Sequence, residues 1–140
     1  MLAKESAEKT MRKIIILFLI LMINIVIIYG ETVKKTIMID LDGVLDNYTV
    51  YTNEIPSIRN GAKDFIKKLA ENYELILFTT RNSKQAVEWL KSNNIDKYFK
   101  NVTNVKTPAY IYIDDRAIKF DGDFDKTLND IENFTVHWKK

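Results

Sequence analysis

The chain has 140 residues, enough for one compact domain and little more, and its 46% hydrophobic and 29% charged content excludes a disordered polypeptide. The net charge of +2 is unevenly divided: residues 1–35 carry six Lys/Arg against three Glu, whereas residues 36–140 carry 15 Lys/Arg against 16 Asp/Glu, so the larger part has no basic surplus suited to nucleic acid. The absence of cysteine rules out disulfides, thiolate catalysis and cysteine-ligated zinc, and a single histidine, His137, argues against a histidine-based triad.

Residues 1–13 form a basic N-terminal segment. They lead into "IIILFLILMINIVIIYG" (14–30), which is apolar from Ile14 to Tyr29 except for Asn24. As a helix these sixteen residues would reach roughly 24 Å, slightly less than a ~30 Å hydrocarbon core. Three readings stay open: a membrane anchor, a secretory signal, or leader sequence from a mis-assigned start. The first implies a membrane-anchored domain and the last a cytoplasmic one. The only small residue before a cleavage point is Gly30, which disfavours the signal peptide.

From Thr36 onward, residues 36–140 read as one α/β domain. The apolar run Thr36–Leu41 predicts a strand covered on both faces. "GAKDFIKKLAE" (61–71) predicts a helix with Ala62, Phe65, Ile66 and Leu69 on one stripe. "ELILFTT" (74–80) is a second buried strand. "SKQAVEWLKS" (83–92) is a helix with Ser83 as its expected N-cap and Ala86, Val87 and Leu90 facing inward. Short strands follow near Val102–Thr103 and in "YIYIDD" (110–115), and "DKTLNDIENF" (125–134) predicts a last helix. This alternation implies a three-layer, Rossmann-like fold with a mainly parallel central sheet.

Ligands of such sheets bind beyond the C-terminal ends of the strands. Those ends carry Asp40 and Asp42 on the first strand, Thr79, Thr80 and Arg81 on the second, and Asp114 and Asp115 on the last, with Lys106 just ahead of it. Carboxylates gathered in this way repel one another unless a hard cation lies between them, and an oxygen-rich site suits Mg²⁺. The ion would attract phosphate oxygens, for which Thr79 and Lys106 are fitting partners. An aspartate can attack phosphorus, a second one can carry protons, and Gly43 permits a sharp turn between them.

"IDLDGV", "LILFTTR", Lys106 and "YIDD" together resemble the four ordered signatures of the haloacid dehalogenase superfamily of phosphohydrolases, over roughly residues 36–134. The resemblance implies a Mg²⁺-dependent phosphatase acting on a small-molecule or polymer-borne phosphomonoester. Asp40 would be the nucleophile and a metal ligand, and Asp42 the general acid/base, lending its backbone carbonyl to the metal. Thr79, Thr80, Arg81 and Lys106 would face the phosphoryl group. Asp114 and Asp115 would complete the metal site, without the sequence saying which touches the ion. The "TTRN" and "IDDRA" endings are also similar to small capless members of the superfamily.

About fifteen residues, "NYTVYTNEIPSIRNG" (47–61), stand where a cap domain is commonly inserted, which leaves room for a hairpin or flap containing Tyr48, Tyr51 and Arg59. Two other classes remain as alternatives: a receiver-like phospho-accepting module, and a membrane-tethered phosphate-binding domain without turnover. Receivers place the acidic pair after the first strand and the acceptor later, the reverse of the order here.

Overall fold

The computed structural model describes residues 2–29 and 33–139. It divides into two compact units, Met1–Val33 and Lys34–Lys140. The first contains helix α1 (Leu2–Tyr29). Large apolar side chains from Ile14 to Met22 are exposed on it. Of the segment 14–30 read as an anchor, Gly30 and the side chains of residues 23–29 lie outside the described residues. Among the described residues no helix is long and apolar enough to cross a membrane.

The second unit contains β1 (Lys35–Asp40), α2 (Ala62–Asn72), β2 (Tyr73–Phe78), α3 (Ser83–Ser92), β3 (Phe99–Thr103), β4 (Ile111–Ile113) and α4 (Phe124–Glu132). The four strands form one sheet in the order β3-β2-β1-β4. Every pairing is parallel, as the expected α/β class requires. β1 is central because its run of apolar residues suits a strand with neighbours on both sides. Ile37, Ile39, Leu75 and Leu77 on β1 and β2 are buried together with Ala62 and Ile66 of α2 and Ala86, Trp89 and Leu90 of α3. The stripe read from the sequence of α2 is narrower than expected: Ala62 and Ile66 are buried, but Phe65 is 40% exposed. On α3, Trp89 joins Ala86 and Leu90 in the core, and its indole N–H donates to the Pro56 carbonyl.

Local chemistry sets the element boundaries. The N-cap of α3 is Asn82, not Ser83: its side-chain oxygen accepts from the backbone N–H groups of Lys84 and Gln85. Asparagine one residue earlier satisfies two orphan donors of the first turn, so the helix takes Ser83 as its first residue. α4 is capped in the same manner by Asp123.

The strand order positions the site. From β1 the chain passes to β2 and β3 on one side, then returns to β4 on the other. The connections therefore diverge between β1 and β4, the point beyond whose carboxyl ends sheets of this kind bind their ligands. Ile39 is paired with Ile113, which sets Asp40 and Asp114 level as the two strands end.

Ile66→Ala should destabilise the protein by about 2–5 kcal/mol, because it leaves a cavity in a fully buried position, while Phe65→Ala should cost less than about 1 kcal/mol. Denaturant titration of both variants checks this ordering; equal losses would mean that the buried face of α2 is not the one described.

Candidate active site

The loop after β1 turns on Gly43, whose φ is +80°, in the left-handed region that side chains rarely adopt. A Cβ at this position would also stand 2.4 Å from the Trp138 ring and 2.7 Å from an Asp115 carboxylate oxygen. Both conformation and crowding thus demand glycine. Asp46, fully buried, holds the turn from inside: its Oδ1 accepts from the backbone N–H groups of Gly43 (2.8 Å) and Tyr48 (3.0 Å). Arg59 reinforces it by donating to the carbonyls of Gly43 and Asp46. The segment after the turn forms the small hairpin-like loop for which the sequence left room. It is closed by an antiparallel bridge between Asp46 and Ile58.

Three expected metal ligands meet. Asp40, Asp114 and Asp115 each offer a carboxylate oxygen, all within 4.8 Å of one another. Asp40 accepts from the Leu41 N–H at 2.7 Å, and Asp114 from the Arg116 N–H at 2.7 Å, so one oxygen of each is already oriented. Asp115 differs. Its side chain is only 2% exposed, and its nearest cation is Arg116 at 3.7 Å. Among the described residues neither of its buried oxygens has a hydrogen-bond donor. A desolvated carboxylate with no donor is costly unless a cation completes it, so the donor set fits a hard, oxygen-seeking metal ion.

Asp42 is not part of that trio. Both of its carboxylate oxygens are taken by Arg81, whose Nε and Nη2 donate at 2.7–3.0 Å. Arg81 also donates to the Thr52 carbonyl and lies over the Tyr51 ring. Arg81, expected at the phosphate, is thus committed to Asp42. Thr79 is buried, and its hydroxyl oxygen accepts from the Arg81 N–H. With Thr80, Arg81 and Thr103 it lines a cleft of about 400 Å³ at the ends of β2 and β3. The Lys106 ammonium lies 4.5 Å from the centroid of the Tyr112 ring. Among the described residues it makes no ion pair, and no contact ties it to Asp40.

Two groups of residues escaped the sequence reading. Asp46 carried a signal that was passed over, a third acid in "DLDGVLD". His137 and Trp138 carried none: they lie ninety residues and more from the turn they touch. His137 Nε2 is 2.7 Å from the Gly43 carbonyl oxygen. Since a carbonyl only accepts, that nitrogen bears the proton and donates.

Burial, together with the neighbouring Asp114, Asp115 and Asp42 charges, pushes the Asp40 carboxyl up to about 7 despite the Leu41 hydrogen bond. Burial, followed by the Asp42 charge, pushes Asp46 up to about 6. The metal-free folded chain therefore keeps protons that the unfolded chain has released. What these groups contribute to stability is fully present below about pH 4 and is lost as pH rises through about 6 to 7. Thermal melts in chelator should show a falling Tm between pH 5 and pH 8, and Asp46→Asn should flatten part of that fall. A metal-free Tm that climbs across the same interval would contradict this account.

Comparison with known proteins agrees with this geometry. Residues 35–137 match the family described as NLI interacting factor-like phosphatase. Among solved structures, a conserved protein from Bacteroides thetaiotaomicron is similar in fold, with a TM-score of 0.52 and 23% identity over 72% of this chain and 92% of that one. No curated protein matches the chain. With its acidic trio at the ends of β1 and β4 and a family match spanning the whole sheet, the chain belongs to the NLI interacting factor-like phosphatases, a family of the haloacid dehalogenase type.

Proposed function

We propose that the chain hydrolyses a phosphomonoester by a Mg²⁺-dependent route through an aspartyl-phosphate on Asp40. The observation that carries this reading is the meeting of Asp40, Asp114 and Asp115, the last with a buried carboxylate that has no hydrogen-bond donor among the described residues. Asp40, Asp114 and Asp115 would hold the ion, with the Asp42 backbone carbonyl. When bound, the ion would offset the repulsion among these acids and the charge of the phosphoryl oxygens.

In the first step an Asp40 carboxylate oxygen attacks phosphorus. The phosphorus–ester oxygen bond breaks, and its electron pair leaves with the ester oxygen, which takes a proton from Asp42. The Leu41 N–H fixes one Asp40 oxygen and so aims the other. In the second step Asp42 removes a proton from water, the water oxygen attacks phosphorus, and the bond to Asp40 breaks to release inorganic phosphate. The bidentate pair with Arg81 sets Asp42 as an acceptor, the form needed for the second step. To give a proton in the first step, Asp42 must turn away from Arg81. Thr79, in the wall of the cleft, would supply a hydroxyl for a phosphoryl oxygen.

The full chain should release phosphate from a generic aryl phosphate in Mg²⁺, and EDTA should abolish the release. Asp40→Asn should lower kcat by about a thousand-fold or more while leaving the fold intact by circular dichroism. Undiminished turnover in that variant would remove Asp40 from the chemistry.

A further inference from the structure

The C-terminal turn, His137–Lys139, lies against the loop that carries the reacting acids. The His137 imidazole donates to the Gly43 carbonyl, one residue beyond Asp42. The Trp138 ring lies where a Gly43 side chain would stand, and the Asp115 carboxylate borders the same point, so ring and carboxylate are neighbours. Tyr48 meets the Trp138 ring edge-on at 5.6 Å, and the Arg116 guanidinium is 5.5 Å from both rings. The Trp138 indole nitrogen is itself buried, with no acceptor among the described residues. His137 and Trp138 thus join the β1 turn to the acids after β4.

We propose that His137 and Trp138 are positioning residues of the active site: His137 fixes the Asp42–Gly43 turn, and Trp138 roofs Asp115 so that its carboxylate is held dry and aimed at the cation position. This inference rests on the metal reading given above. It adds that the affinity of the acidic trio for a divalent ion depends on His137 and Trp138. A desolvated carboxylate held in place binds a hard cation more tightly than a hydrated, mobile one, and partners behind metal ligands commonly govern affinity by ten-fold or more.

The test uses the full-length protein and Mg²⁺ alone. In calorimetric titrations Trp138→Ala should weaken Mg²⁺ binding by about ten-fold, and Trp138→Phe should recover most of the loss because a ring again covers Asp115. His137→Ala should weaken binding, and His137→Gln, whose amide can still donate to Gly43, should recover it. A second readout needs no change at Trp138. With Trp89 replaced by Phe, Trp138 is the sole indole, and its emission should shift saturably with Mg²⁺. That response should disappear in Asp115→Asn. Unchanged Mg²⁺ affinity in Trp138→Ala, or an indole signal indifferent to Mg²⁺ that calorimetry shows to be bound, overturns the inference and leaves the phosphatase reading standing. No Mg²⁺ binding by the unaltered protein overturns the metal reading, and this inference with it.

Discussion

Carboxylates held close together and partly out of water dominate this protein. Asp40, Asp42, Asp114 and Asp115 converge where β1 and β4 end, and Asp46 lies buried behind them. The protein's own cations answer only part of this charge. Arg81 takes Asp42 through a bidentate pair, and Arg116 stays 3.7 Å from Asp115. The remaining repulsion is what a divalent ion would relieve; burial first, and this repulsion after it, make the folded state of the metal-free chain sensitive to protonation. Much of the local structure can be understood as the means of holding these groups in place against their mutual repulsion. The left-handed Gly43, the Asp46 hydrogen bonds inside the turn and the two Arg59 donors all serve that end.

The two arginines illustrate how position decides the role of one residue type. The side chain of Arg81 is 2% exposed and fully engaged, with donors on Asp42 and Thr52 and a tyrosine ring beneath it. A guanidinium so occupied acts as a fixed part of the scaffold. The Arg116 side chain is 57% exposed, and its guanidinium rests beside two aromatic rings without a close hydrogen bond among the described residues. Its charge offsets that of Asp115 without capturing the carboxylate, which leaves the oxygens of Asp115 available.

Most of the architecture was legible because parallel strands buried on both sides have a plain signature. The runs "TIMIDL" and "ELILFTT" could belong to little else, and they carried Asp40 and Thr79 to the correct edge. Asp114 and Asp115 followed from the short β4, and adjacent acids at a strand end are hard to account for without a ligand. What stayed hidden depended on side-chain reach and on contacts between distant parts of the chain. Nothing in "TTRN" distinguishes an arginine that binds phosphate from one that turns back to Asp42. Lys106, long and set in a loop, is found over Tyr112. His137 and Trp138 were least accessible of all, since no periodicity or motif links a chain terminus to a turn in the first strand–helix connection. The shift of the α3 cap from Ser83 to Asn82 is a smaller instance: two good capping residues stood side by side, and backbone geometry chose between them.

The central place of β1 has a kinetic consequence. Its backbone is bonded to β2 along one edge and to β4 along the other, so releasing it requires both ladders to open. β2 is held in the same way between β1 and β3, so these two inner strands are the last segments expected to exchange their amide protons. Asp40 is the final residue of β1. The position proposed for the nucleophile therefore stands at the end of one of the two strands that open most slowly, where the geometry of a carboxylate is least disturbed by local unfolding.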